Sequence, residues 1–244
     1  MGLRAELAPR SYDNLERAES KRLQLTFTPS SGKKLQLALL QDPAAGIAGV
    51  LYDCALLLAA RLVEEPRLLA GKVLELGCGT GCCGLVAAAC GAEVLLTDRS
   101  EQALQVAKQS AKESGLSVSV RRWEWSEPPP KECCGCSTVL ASDLVYSEDT
   151  GALLGALEAV TCAGSVVLLV ARVRSPGSLA GLRSLLAGAS RTFKECAPLP
   201  LRPMARATVQ GMKADVSGLL EATFTRYLLD PDGLEGVYFY RLVR

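Results

Sequence analysis

Seven consecutive residues, Glu75-Leu76-Gly77-Cys78-Gly79-Thr80-Gly81, carry most of the chemistry this sequence offers. Glycine lets a backbone turn sharply and approach a ligand with no Cβ in the way. The apolar stretch Cys82–Cys90 follows, and the N-terminus of a helix there would leave unpaired N–H groups facing the loop. Asp98 stands at the end of the next apolar run, roughly 20 residues on, where an acid accepts hydrogen bonds from a ribose diol. Glu75 bears on the sign of the ligand. A carboxylate at that point repels a pyrophosphate and suits a cation, such as S-adenosylmethionine with its sulfonium and ammonium. Gly79, Gly81 and Gly84 also spell G-x-G-x-x-G, the fingerprint of dinucleotide sites. The first glycine of that fingerprint belongs at the strand–loop junction, however, and Gly77 holds that place. A nicotinamide or flavin dinucleotide and a purely structural turn are the alternatives at this point.

The chain contains no histidine, so its chemistry falls to carboxylates, tyrosines, cysteines, backbone groups or a cofactor. Its ten cysteines include two crowded groups, Cys78, Cys82 and Cys83 in the glycine loop and Cys133, Cys134 and Cys136 in a proline-rich loop. Zinc sites favour paired C-x₂₋₄-C blocks. The irregular spacing here predicts no metal, and exposed thiols on the second loop would be open to oxidation.

The elements that must hold the loop and its acid follow from hydrophobic periodicity. Leu23, Leu25 and Phe27, then Leu35, Leu37 and Leu39, alternate with other residues around the turn signal Pro29-Ser30-Ser31-Gly32, which reads as a β-hairpin. Val50–Leu62 favours a helix. Strands are predicted at Val73–Leu76, Glu93–Thr97, Ser117–Arg121, Thr138–Ala141 and Val166–Val170, with two more at Thr223–Leu229 and Val237–Val243. Between them lie helices over Cys82–Cys90, from Ser100 to about Lys112, over Asp149–Val160, and on the face Leu179, Leu182, Leu185 and Leu186. Strands alternating with helices imply βαβ units and an α/β, Rossmann-like, doubly wound sheet that is mostly parallel. Ligands bind at the carboxyl ends of such strands, where the glycine loop and Asp98 fall.

With 244 residues, one domain over residues 21–244 behind a flexible arm at 1–20 is the expected organisation. The net charge of +1 supplies no bulk attraction to nucleic acid or to a membrane, and no apolar run approaches a membrane span. The N-terminus has no basic-then-apolar signal segment. Cys54, Cys90 and Cys162 sit in apolar runs, where a free cysteine behaves as a small hydrophobe. A reduced, cytoplasmic and also nuclear protein, monomeric, is the expectation.

Val73-Leu74-Glu75-Leu76-Gly77-Cys78-Gly79-Thr80-Gly81 resembles the cofactor motif of the class I, seven-β-strand methyltransferases that use S-adenosylmethionine. A narrower similarity, running from about Leu23 to Val243, is to their protein-lysine methyltransferase group, which acts on non-histone proteins. Gln41 and Gly49-Val50-Leu51-Tyr52-Asp53 resemble the group's lead-in segment, with Tyr52 where the group has Trp. Trp123-Glu124-Trp125-Ser126 resembles its Leu-Asp-Trp-Gly segment, and Ser142-Asp143-Leu144-Val145-Tyr146 carries its Asp-x-x-Tyr signature. Ser110 falls near a position where the group usually has Asn.

The resemblance implies a pocket for S-adenosylmethionine. Gly77, Gly79, Thr80 and Gly81 would line its methionine and ribose portions, Glu75 would bind the cationic cofactor with them, and Asp98 would hold the ribose hydroxyls. Trp125 would pack near adenine, Ser142 would border the cofactor, and Tyr52 would stand near the methyl donor. Asp143 would orient a lysine amine of a protein substrate and Tyr146 would line its channel, the two forming the catalytic pair. Transfer to an arginine, a histidine or a small molecule, or a non-catalytic binding protein on the same fold, are the competing functions.

Overall fold

The computed structural model describes residues 20–200, 204–210 and 236–244. The arm expected over 1–20 lies outside these residues apart from Ser20, and so does the strand expected over Thr223–Leu229. The described residues form ten strands: β1 (Arg22–Thr28), β2 (Leu35–Leu40), β3 (Lys72–Leu76), β4 (Glu93–Asp98), β5 (Ser119–Arg122), β6 (Thr138–Ser142), β7 (Val166–Val173), β8 (Glu195–Pro198), β9 (Arg206–Gln210) and β10 (Gly236–Val243). They also form five α-helices: α1 (Asp53–Glu64), α2 (Cys82–Ala89), α3 (Glu101–Glu113), α4 (Gly151–Val160) and α5 (Pro176–Ala189).

Seven strands make the main sheet, in the order β5-β4-β3-β6-β7-β10-β8. The β5, β4, β3, β6 and β7 strands run parallel, and β10 is antiparallel to both β7 and β8. This is the doubly wound, mostly parallel sheet that the strand–helix alternation predicts. Side chains alternate across it because successive residues of a strand point to opposite faces. Val73, Leu140 and Leu168 face one core with Leu58 of α1, Leu85 of α2 and Leu104 of α3. Leu74, Val139 and Leu169 face the other with Leu157 of α4 and Leu182 of α5. Fully burying each such side chain contributes about 1.5–3 kcal/mol.

The predicted hairpin β1–β2 gains a third strand, β9, on the far side of β1. Neither β8 nor β9 is evident in the sequence pattern. β8 has four residues and ends in a proline, and β9 alternates polar and small residues. The outer strand β2 is tied to α3 by two serines one turn apart. Ser110 Oγ accepts from the Leu40 N–H at 2.9 Å and Ser114 Oγ from the Ala38 N–H at 2.9 Å.

Local rules set the helix starts. Ser100 caps α3, its Oγ accepting from the Ala103 N–H at 3.2 Å, with Glu101 in the first turn, where negative charge is favourable. Ser175 and Ser178 form a capping box at α5, and Pro176 opens it, as fits a first-turn position that needs no N–H. α1 begins at Asp53 rather than Val50, because residues 43–49 form a 3-10 segment that Pro43 opens and Gly46 (φ 66°) kinks. α4 begins at Gly151 rather than Asp149, whose Oδ1 instead accepts from the Gly151 N–H at 3.0 Å. Among the described residues no single helix is long and apolar enough to cross a membrane.

Candidate functional site

A cavity of about 380 Å³ opens at the carboxyl edge of the parallel strands, within the range of small-molecule sites. Its floor is the turn after β3. Gly77 and Gly79 hold φ of 53° and 52°, left-handed values that any side chain would resist. The loop also has no room for one. A Cβ on Gly77 would meet Leu144 Cδ2 at 2.6 Å, and one on Gly79 would meet the Ala48 carbonyl oxygen at 3.1 Å. The loop is fastened to β4, since the Cys78 N–H donates to the Thr97 carbonyl at 2.8 Å.

Asp98 ends β4 in the cavity wall, 7% exposed. Its Oδ2 accepts from the Gly79 N–H at 2.9 Å and its Oδ1 from the Ser100 N–H at 2.9 Å. The carboxylate is thus locked in place, and each oxygen keeps a second lone pair. Trp125 stands on the wall above Gly77, its Cζ2 placed 3.4 Å from where a Gly77 Cβ would lie. Trp123 also reaches the wall but is 2% exposed, and its Nε1–H donates to the Glu127 carbonyl at 3.1 Å.

The opposite end is built by the turn after β6 and the end of β7. Ser142, Asp143 and Tyr146 line it, together with Tyr52 and Arg174. Asp143 is the one described non-glycine residue with positive φ, 59°. Its N–H donates to the Val170 carbonyl at 2.8 Å, which stitches the turn to β7. Its carboxylate is engaged from both sides: Arg174 Nη1 donates to Oδ1 at 2.8 Å and Nη2 to Oδ2 at 2.5 Å. Tyr52 sits at the N-cap position of α1, outside the helix proper. Burial, and secondarily the Asp143 carboxylate, raise its phenol pKa. Tyr146 stands at the rim, 57% exposed, and so does Ile47, 64% exposed.

The lead-in segment crosses this opening as a short flap. Gln41 anchors it, Oε1 accepting from the Leu51 N–H at 2.8 Å and Nε2 donating to the Ser20 carbonyl at 2.6 Å. The Asp42 N–H donates to the Gly49 carbonyl at 2.9 Å, closing the loop. Gly49 is obligatory, since a Cβ there would fall 1.8 Å from the Asp42 carbonyl oxygen.

Of the predicted site residues, Tyr52, Gly77, Gly79, Thr80, Asp98, Trp125, Ser142, Asp143 and Tyr146 converge on this one cavity. Two stand elsewhere. Glu75 shares a sheet face with Val73 and is 1% exposed beneath α2, its Oε2 accepting from the Gly84 N–H at 2.8 Å. Burial pushes its carboxyl pKa up to about 8, against the lowering influence of that N–H. Gly81 is the N-cap of α2, and a Cβ on it would meet Ala107 Cβ of α3 at 2.9 Å, so it serves helix packing. Asp143 is not an unengaged acid, as its expected role would have it, because Arg174 occupies both oxygens. Sequence reasoning missed Arg174, Arg99 and the flap residues Ala45, Ile47 and Ala48, which also line the cavity. Of the three cysteines whose apolar runs predict packing as small hydrophobes, Cys54 is buried, Cys90 is half-buried and Cys162 is exposed.

The wall suits an adenosyl cofactor. It offers glycine cradles for close backbone approach, a fixed carboxylate with lone pairs to spare, and an indole face. These are the groups that would hold S-adenosylmethionine, with the ribose on Asp98 and the adenine beside Trp125.

Solved methyltransferases share this architecture. The 16S rRNA N2 G1207 methyltransferase of T. Thermophilus, in complex with AdoMet and guanosine, superposes with a TM-score of 0.56 over 91% of this chain and 50% of its own, at 16% identity. The sequence model of a family described as lysine methyltransferase matches residues 31–184, and the chain belongs to that family. Among curated relatives, "Protein N-lysine methyltransferase METTL21A" of Danio rerio is 39% identical over 139 residues, covering 53% of this chain and 62% of its own length. "Histone-arginine methyltransferase METTL23" of Homo sapiens is 35% identical over 109 residues, 40% of this chain and 55% of its own. The chain thus spans rather less than two thirds of these relatives.

Proposed function

We propose that this chain transfers a methyl group from S-adenosylmethionine to the side-chain amine of a lysine in a protein substrate. The observation that carries the reading is a single cavity with two different ends. One end has the glycine cradle, the fixed Asp98 carboxylate and Trp125. The other has the Asp143–Tyr146 turn opening to solvent between Tyr146 and Ile47. Membership of the lysine methyltransferase family and likeness to METTL21A of Danio rerio support lysine as acceptor.

When bound, S-adenosylmethionine would supply an electrophilic methyl carbon that the acceptor nitrogen's lone pair can attack, the carbon–sulfur electron pair leaving with sulfur. The protein's task is alignment, which supplies roughly 7–11 kcal/mol in well-oriented displacements. Asp98 and the loop amides fix one reactant. Tyr52, Tyr146 and the flap bound the approach of the other. Entering a partly desolvated channel lowers a lysine pKa, which favours the neutral amine that has a lone pair to give. The reading also takes the protein to be a monomer that works in the cytoplasm and the nucleus, as its free cysteines suit a reducing compartment.

Calorimetric titration with S-adenosylmethionine, beside NAD as control, tests the cofactor. Micromolar binding of the first and none of the second is expected. Tritiated methyl transfer into lysate proteins, followed by amino-acid hydrolysis, then tests the acceptor. Label in methyllysine supports the proposal. Label in methylarginine, or no label from a protein that binds the cofactor, would sink it.

A further inference from the structure

The acid of the Asp-x-x-Tyr signature is already neutralised by a partner that the signature does not contain. Arg174 grips both oxygens of Asp143, and the carboxylate side chain is 9% exposed against 38% for the guanidinium. Arg174 is itself held: its backbone N–H donates to Ser178 Oγ in the α5 capping box at 2.9 Å, and Nη1 reaches the Arg172 carbonyl at 3.3 Å. The outward member of the pair is therefore the cation, and it forms part of the cavity wall.

The surroundings do not restore a free negative charge. Behind the pair, Asp53 of α1 is matched by Arg172 of β7 at 3.1 Å. Cys54 is buried, and burial raises its thiol pKa well above the usual range, so it stays neutral. Tyr52 and Tyr146 complete this end, and burial raises the phenol of Tyr52. The other acids of the wall, Asp98 and Glu124, belong to the β4–β5 side. β4 is two strand spacings from β6 in the sheet order, about 10 Å.

We propose that Arg174 is a specificity-determining residue of the acceptor end: by occupying Asp143 it removes the counter-charge that would hold an ammonium, so that this end admits a primary amine in its neutral form. The inference rests on the reading of a lysine acceptor. An ammonium leaving water for this wall gains no free carboxylate and meets the face of a guanidinium. A neutral amine meets neither penalty, its proton having gone to bulk water beforehand. The same pair holds the turn at Asp143 in its left-handed conformation, which a residue with a Cβ adopts at a cost.

The test is a calorimetric titration of n-butylammonium, the lysine side-chain mimic, into wild type and variants at pH 7 and low salt. R174Q frees the Asp143 carboxylate and is expected to bind n-butylammonium about five- to tenfold more tightly than wild type, as a half-exposed charge pair permits. R174K restores the counter-charge and returns to the wild-type value, and R174Q/D143N loses the gain. A merely structural role for Arg174 would produce neither the gain nor its reversal. Unchanged or weaker binding by a folded R174Q overturns the proposal. Should R174Q lose its far-UV circular dichroism, D143N decides: its released guanidinium must gain affinity for n-butanoate, and no gain overturns the proposal equally. Methyl incorporation into lysine is read in the separate labelling experiment, so the two readings fail independently.

Discussion

Replacing Glu75 by glutamine is expected to stabilise the protein, and to do so more at pH 8 than at pH 5. Glu75 is buried beneath α2, and its carboxyl has a pKa near 8 in the fold against 4.5 in the unfolded chain. Desolvation is the main cause, and the Asp98 carboxylate adds to it. Below the unfolded value both states hold the proton and nothing is lost. Between the two values the folded chain keeps a proton that the unfolded chain releases, so stability falls as pH rises, and the loss is complete above the folded value. Each pH unit in that window is worth about 1.4 kcal/mol, on the order of 5 kcal/mol across it. Glutamine has nothing to ionise, and its carbonyl oxygen can still accept from the Gly84 N–H that Glu75 Oε2 now engages. Its second N–H must find a partner, which offsets part of the gain. A gain of about 2 kcal/mol at pH 8 corresponds to roughly 4–8 °C in a chain of this size. Thermal melts of wild type and E75Q, followed by circular dichroism at pH 5 and pH 8, measure the gap between the proteins. A gap of the same size at both pH values would refute the reasoning, since it would mean that Glu75 titrates alike in folded and unfolded chains.

Three further outcomes follow from the site. D98A removes the acceptor of the Gly79 and Ser100 N–H groups and the candidate ribose ligand; charge-assisted bonds of about 1.5–3 kcal/mol predict roughly 10- to 100-fold weaker S-adenosylmethionine binding by calorimetry. G79A places a Cβ 3.1 Å from the Ala48 carbonyl oxygen at φ 52°. It should cost about 1–2 kcal/mol in urea unfolding and weaken cofactor binding, as the flap must lift. The two tryptophans should separate. W123A, at a buried ring, costs about 3–5 kcal/mol of stability, whereas W125A spares the fold but loses the fluorescence quenching expected on cofactor binding. Equal stability losses for the two would show that Trp125 is packing rather than wall.

The parts of the site that could be read from the sequence are those whose chemistry is carried by residue type. A glycine-dense turn after an apolar strand, with an acid at the end of the next strand, fixes both the loop and Asp98, because glycine adopts the left-handed φ values seen at Gly77 and Gly79 without a Cβ penalty. The parallel strands were legible for the same reason, being apolar runs between helical ones. What escaped is carried by geometry. Ala45, Ile47 and Ala48 have no reactive group, and their place in the wall depends on how Gly46 and Gly49 fold the flap. Arg174 lies 31 residues from Asp143, and the adjacency of β6 and β7 alone brings them together. Glu75 is an instructive miss, since the period of two along β3 already placed it with Val73 and against the helix. β8 and β9 have too few apolar residues to announce themselves, and their pairing partners define them.

The two serines Ser110 of α3 and Ser114 at its C-cap have a consequence for behaviour at high concentration. Among the described residues β2 is the outermost strand of its sheet, and its sequence, LQLALL, is uncharged and apolar but for Gln36. An open edge of that kind is a template onto which a second molecule can add its own strand, the first step of aggregation. The Ala38 and Leu40 N–H groups are among those that would receive the newcomer, and the hydroxyls of Ser114 and Ser110 already occupy them. Ser114 further donates to the Ala38 carbonyl at 3.1 Å, filling the complementary half of the template. The helix thereby stands in for the missing neighbour, and a greasy strand can lie at the border of the molecule without recruiting copies of itself.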